Sequence, residues 1–273
     1  MHNDELEQQS KQALSKGYIV TPFALSNESD KMLRAAALSH IMKAVSMNEF
    51  MQREIIDRLT YTRDYGISKS INFMVVSKND IGQPVGVAHF VYSKSSGIMY
   101  LQDFAISEKK DVHKNEVLAL LAVGAREHMI EYGMRPKAIL VSPSLKKDGI
   151  EGLNLMRELK MKFMALEPKT EKNFAAVEKQ HKNKVPFFEI VKGDKITDMR
   201  VILVHNYSGE KFKLNEEIFS KFLKDLKDQD ELALLLGAVH DSKFKITLTN
   251  MDESNKLIDL LKKISWNTDK KNP

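Results

Sequence analysis

The run from Gly97 to Tyr132 limits the possible folds of this chain more than any other stretch. From Gly97 to Ile106 it is rich in aromatic and aliphatic residues, as a strand requires. A charged connection from Ser107 to Lys114 follows. Val117, Leu118, Leu121, Gly124, Ala125 and Met129 then recur at the spacing of one helix face, and the run ends before Gly133. The spacing predicts strand, short loop, helix. A helix that starts at a strand end has unpaired N–H groups and the positive end of its dipole in its first turn, so it can seat phosphate or another anion.

The flanking segments fit around this unit. Residues 5–16 read as a short polar helix, and 18–25 as a strand that Pro22 places at an edge or end. Met32, Leu33, Ala36, Ala37, His40, Ile41 and Ala44 fall at helical spacing after capping residues at 26–30, which puts His40 on the apolar face as a buried structural histidine. A second helix is expected over 48–61. Runs at 71–77 and 84–92, joined by turn chemistry, form a hairpin. The strand at 137–142 must run parallel to an earlier one because a helix precedes it. A helix over 149–160 and a strand over 161–166 complete this part.

Composition narrows the class. The chain has 273 residues, 42% hydrophobic and 29% charged, which allows a sizeable core. Its net charge of +5 makes an anionic partner possible, but the surplus is spread over both halves. With no cysteine there is no disulfide, no thiolate nucleophile and no cysteine-bound zinc, and no His or carboxylate pattern marks a metal site. The polar, acidic N-terminus lacks the features of a secretory signal and no apolar run reaches membrane-spanning length, so a cytoplasmic protein is expected, away from the membrane.

The order strand, two helices, three antiparallel strands, helix, strand, helix, strand over residues 17–166 resembles the GNAT superfamily of acyl-CoA-dependent N-acyltransferases. Gly86-Val87-Ala88-His89-Phe90 is similar to that family's third strand, and Tyr100-Leu101-Gln102-Asp103-Phe104-Ala105-Ile106 to its fourth. Met156 to Phe163 resembles its final helix running into a strand. The resemblance implies an α+β fold with a mixed sheet flanked by helices, acetyl-CoA or another acyl-CoA as cofactor, and an amine acceptor on a small molecule or a protein.

The chain is a divergent case. Where the family carries a glycine-rich pyrophosphate loop, Lys110 to Glu116 contains no glycine; Glu158 stands in the place of the usual general-acid tyrosine, and Lys162 in that of a glycine. If the chemistry is kept, the resemblance implies Asp103 as general base, Glu158 as a second acid/base, and the N–H groups of Ala105 and Ile106 against the thioester carbonyl. Val112, His113, Lys114 and Asn115 would hold the CoA phosphates. The alternatives are a solvent-facing Asp103 and, for the whole protein, a degenerate GNAT-type scaffold that binds nucleic acid or a macromolecular assembly.

Three parts are expected: an N-terminal polar segment (1–16), the acyltransferase-like domain (17–205, with a charged insertion at 167–184), and an α+β extension (206–273). A hairpin of 187–191 and 199–205 is expected to add to the sheet. In the extension, Ile218, Phe219, Phe222, Leu223 and Leu226 mark one inward helix face and Leu257, Ile258, Leu261 and Ile264 another.

Overall fold

A computed structural model describes residues 5–23, 31–47, 52–53, 56, 69–78, 82–142, 154–156, 158–168, 187–192, 195–207, 212–226 and 244–249. Helix α1 (Glu5–Ser15) precedes strand β1 (Tyr18–Pro22) and helix α2 (Lys31–Ala44). Strands β2 (Lys69–Lys78), β3 (Pro84–Ser93) and β4 (Ile98–Ile106) form an antiparallel meander that leads into helix α3 (Lys114–Glu131). Then come β5 (Ala138–Val141), β6 (Lys162–Pro168), β7 (Phe187–Lys192), β8 (Lys195–Val201), β9 (Leu203–Asn206), helix α4 (Glu216–Asp225) and β10 (Phe244–Thr249).

One sheet runs in the order β1-β2-β3-β4-β5-β9-β6-β10, and β7 with β8 makes a separate two-stranded ribbon. The fold is α+β, a mixed sheet flanked by helices. As the helix crossover requires, β4 and β5 are parallel neighbours, in the register Ile98↔Ala138 to Leu101↔Val141. Pairing stops there, while β4 continues to Ile106. β5 ends at Val141 with its last pair, so the stretch of β4 after Leu101 has no β5 partner.

Strand alternation sorts the core into two faces. Met74, Val76, Ala88, Phe90, Tyr92, Met99 and Leu101 pack with α3 and with Leu6 and Ala13 of α1. Val75 and Val87 lie under Leu38 and Met42 of α2, and Val91, Tyr100 and Leu140 under Phe219, Phe222 and Leu223 of α4. Glycine permits two close approaches: a Cβ on Gly86 would collide with Val117, and one on Gly124 would come within 2.7 Å of Val20 Cγ1.

Several expectations are corrected. His40 is exposed, because the buried side of α2 runs through Leu38 and Met42 instead, with Val45 following just after the helix. The second arm of the 187–205 hairpin is β8, starting at Lys195, and the chain breaks pairing after Val201. Leu203 and Val204 are buried on opposite faces, so β9 is drawn into the main sheet between β5 and β6. The helix expected at 48–61 is described only at Gln52, Arg53 and Ile56, and the Leu257 to Ile264 stripe and the 169–184 part of the charged insertion lie outside the described residues.

Residues after 206 supply α4 to one face and β10 to the edge beside β6. Asn215 caps α4 by accepting from the Ile218 N–H at 2.9 Å. At the other end of α4, Asp225 Oδ2 accepts from the Ser93 and Ser95 hydroxyls, at 2.6 and 2.9 Å. Ser93 is fully buried. Asp225→Ala removes a charged acceptor from this turn and should cost about 1.5–3 kcal/mol in urea denaturation. No change in midpoint would mean that the knot contributes nothing to stability.

Candidate functional site

The β3–β4 pairing contains a bulge. Phe90 faces Leu101 but His89 faces Asp103, so Gln102 is the extra residue. In an unbroken register His89 would face Gln102. The bulge puts a carboxylate opposite an imidazole at the point where β4 leaves β5, and bulges commonly re-aim side chains at sites.

His89 and Asp103 share the sheet face of Val87, Ala105, Val91 and Tyr100. His89 Nδ1 lies 3.3 Å from Asp103 Oδ2, with the His89 side chain 0% exposed and that of Asp103 16% exposed. His89 Nε2 is buried without a hydrogen-bond partner. The solvent-facing alternative for Asp103 gives way to a half-buried, paired carboxylate. Ala105 and Ile106 follow on the part of β4 beyond the last β5 pair, with Ile106 packed in the α3-side core.

The other residues expected at the site gather at the start of α3. His113 is its N-cap residue and makes no side-chain cap hydrogen bond, so the first-turn N–H groups get no acceptor from it. Val112 is buried, and His113 and Lys110 are exposed. Lys114 Nζ lies 2.7 Å from both Glu108 carboxylate oxygens, and Asn115 donates to Gln9 Oε1 at 3.1 Å.

The two acids of this loop, Asp111 and Glu116, are matched by cations. Asp111 Oδ2 takes a 2.9 Å bond from Lys78, which holds its carboxyl below the usual range. Glu116, 5% exposed, lies 2.6 Å from Lys16 just after α1. Lys109 donates to Gln83, and the Tyr18 hydroxyl donates to the Asp111 carbonyl at 3.2 Å. The glycine-free loop is therefore laced to β1, to the end of β2 and to the β2–β3 connection. An uncapped helix start with the exposed Lys110 and His113 beside it is chemically able to take an anion such as phosphate.

No family model matches the sequence, and no curated protein matches it. Among solved structures, the IAA acetyltransferase from Bacillus cereus ATCC 14579 overlaps at a TM-score of 0.38 and 14% identity, covering 70% of this chain and 99% of that chain. A GNAT family acetyltransferase from Elizabethkingia anophelis with acetyl-CoA bound gives 0.36 at 9% identity, with 70% and 99% covered. A Bacillus subtilis acetyltransferase in complex with CoA gives 0.36 at 13%, with the same coverage. Overlaps below 0.5 establish no family, activity or ligand, and the fold rests on its own strand order.

The structure thus places Asp103, Ala105 and Ile106 on one strand segment, with Val112, His113, Lys114 and Asn115 one loop further on. Glu158 lies on another segment, exposed, at the last helical position before the turn into β6. His89 has no acidic residue near it along the chain, and only the register at the bulge gives it a partner. It also missed the ion-pair partners Lys16, Lys78 and Glu108. Among the described residues no helix is long and apolar enough to cross a membrane.

Proposed function

We propose that this protein transfers an acyl group from an acyl-CoA thioester to an amine on a small molecule or a protein. The observation that carries this reading is the bulge at Gln102, which places the paired carboxylate of Asp103 on the part of β4 beyond its last β5 pair, one loop before an uncapped helix start. Within this reading residues 17–205 hold the site, and 1–16 and 206–273 act as scaffold.

Acyl-CoA would supply an activated carbonyl. Asp103 takes the proton that the amine must lose as it attacks, directly or through one water. The new C–N bond replaces the C–S bond, and the proton ends on the departing sulfur. Of the two backbone N–H groups at Ala105 and Ile106, that of Ala105 points back at β3 and that of Ile106 is offered toward the developing charge on the carbonyl oxygen. Val112 to Asn115 hold phosphate at the helix start, with Lys114 and Lys110 as side-chain cations. Glu158 serves from the solvent side as second acid/base, and Glu158→Gln tests that role by its effect on turnover.

Calorimetric titration with acetyl-CoA is the direct test: heat of binding is expected, and its absence together with the absence of a thermal shift sinks the reading. Lys114→Ala should weaken acetyl-CoA binding by about 1.5–3 kcal/mol, the worth of one charge-assisted contact, while leaving the rate at saturation nearly unchanged. Unaltered affinity would remove Lys114 from the phosphate seat.

One observation favours a second reading, binding of nucleic acid. At the opposite end of the sheet a cleft of about 400 Å³ is lined by Lys94, Arg135 and Lys137 with Ser95, Ser96 and Gly97 and, among the described residues, by no acidic one. Its two rims are tied by the Lys137 N–H to the Gly97 carbonyl at 2.8 Å. Binding to DNA that falls steeply with salt, in a protein indifferent to acetyl-CoA, would select this reading.

A further inference from the structure

We infer that His89 is a positioning residue: its Nδ1–H, donated across the bulge, holds the Asp103 carboxylate in the orientation in which it accepts the amine proton. The inference rests on the acyl-transfer reading and adds a residue to it. A carboxylate only accepts hydrogen bonds, so the 3.3 Å contact with ionised Asp103 requires the proton of neutral His89 on Nδ1 and a bare lone pair on Nε2.

Burial decides which partner meets the substrate. His89 is 0% exposed, and its Nε2 has neither solvent nor a hydrogen-bond partner, so no amine reaches it without a rearrangement of the core. Asp103 keeps 16% of its side chain accessible. This reverses the order of a Ser-His-Asp triad, in which the histidine meets the substrate and the carboxylate stands behind it. Here the imidazole stands behind, and the carboxylate faces outward.

The bulge has a reason in this arrangement. In regular register the residue opposite His89 would be Gln102, whose amide is no base at neutral pH. The extra residue replaces that amide by a carboxylate and leaves the apolar pairs on either side, Val87 with Ala105 and Val91 with Tyr100, in register. Holding a reacting group in place is worth a large factor in rate, and a misplacement of about 1 Å can cost about 100-fold.

The experiment has two arms. Long-range ¹⁵N–¹H correlation on histidine-labelled wild-type protein reads the His89 tautomer without any ligand, and a proton on Nδ1 is expected. Release of free thiol from acetyl-CoA with a panel of primary alkylamines then reads turnover of wild type, His89→Leu and His89→Asn, with thermal midpoints as the folding control. Leucine removes the donor, whereas the asparagine amide places one near the Nδ1 position. The expected result is a fall in kcat of about 10- to 100-fold for H89L, with KM for acetyl-CoA within about twofold, and recovery to within about fivefold of wild type for H89N.

A proton on Nε2, or equal rates for folded H89L and H89N, overturns the inference while leaving acyl transfer standing. The tautomer arm still decides if H89L does not fold. Wild-type protein with the Nδ1 tautomer and no turnover fails differently: the acyl-transfer reading falls, and His89 to Asp103 becomes a structural cross-strand bond.

Discussion

Asp103→Asn is expected to lower the rate of acyl transfer by roughly 10²–10⁴ while acetyl-CoA affinity stays nearly unchanged. The substitution keeps the size of the side chain and its capacity to accept from His89 Nδ1, which lies 3.3 Å from the carboxylate. What it removes is basicity. General-base catalysis acts on the transition state, so the loss belongs in kcat, and the phosphate seat at 112–115 lies on a separate element. Single-turnover rates with saturating acetyl-CoA measure the first quantity and calorimetry the second. A variant as fast as wild type removes Asp103 from the chemistry. A variant that no longer binds acetyl-CoA means instead that the carboxylate holds the site's shape.

The fold was legible where one period dominated the sequence. Val117 to Met129 is apolar at helical spacing, and α3 extends that run by only a few residues on either side. The meander was legible for a similar reason: Gly82 and Gly97 adopt positive φ, 60° and 73°, in the two turns that join its strands. Register was not legible. Nothing in Gln102-Asp103 announces a bulge, because it depends on which residue of β3 lies opposite, a relation between residues 14 positions apart for His89 and Asp103. The insertion of β9 between β5 and β6 was hidden for the same reason. Ile202, Leu203 and Val204 are a short apolar run that suits a hairpin arm equally well, and burial on two faces decides its place only once both layers of helices are present. At the α3 start the sequence showed the charges of the loop without their partners. Lys16 and Glu116 meet across 100 residues, and Asp111 is likewise matched by a lysine from a distant element, Lys78.

Phe222→Ala should destabilise the protein by about 3–5 kcal/mol, the usual cost of deleting a fully buried aromatic ring. Phe222 is 0% exposed. Its ring meets Tyr100 of β4 edge-on at 5.9 Å between centroids and stacks on Phe219 at 5.8 Å. Each contact adds to the area term, and the hole left behind lies between α4 and the centre of the sheet, where Val91, Ile98, Leu140 and Val204 cannot all move in to fill it. The expected result is one cooperative urea transition displaced to a lower midpoint, because β4 carries both this cluster and Asp103. Two transitions, with only the first displaced, would mean that α4 melts independently of the site-bearing sheet. A loss below about 0.5 kcal/mol, the range of surface substitutions, would place the ring outside the core altogether. In the cooperative case the same variant should also lose acyl transfer as temperature rises toward its lowered midpoint, since loosening Tyr100 loosens the strand just before the bulge. Retention of full activity up to the wild-type midpoint would separate the packing of the C-terminal segment from the geometry that holds Asp103.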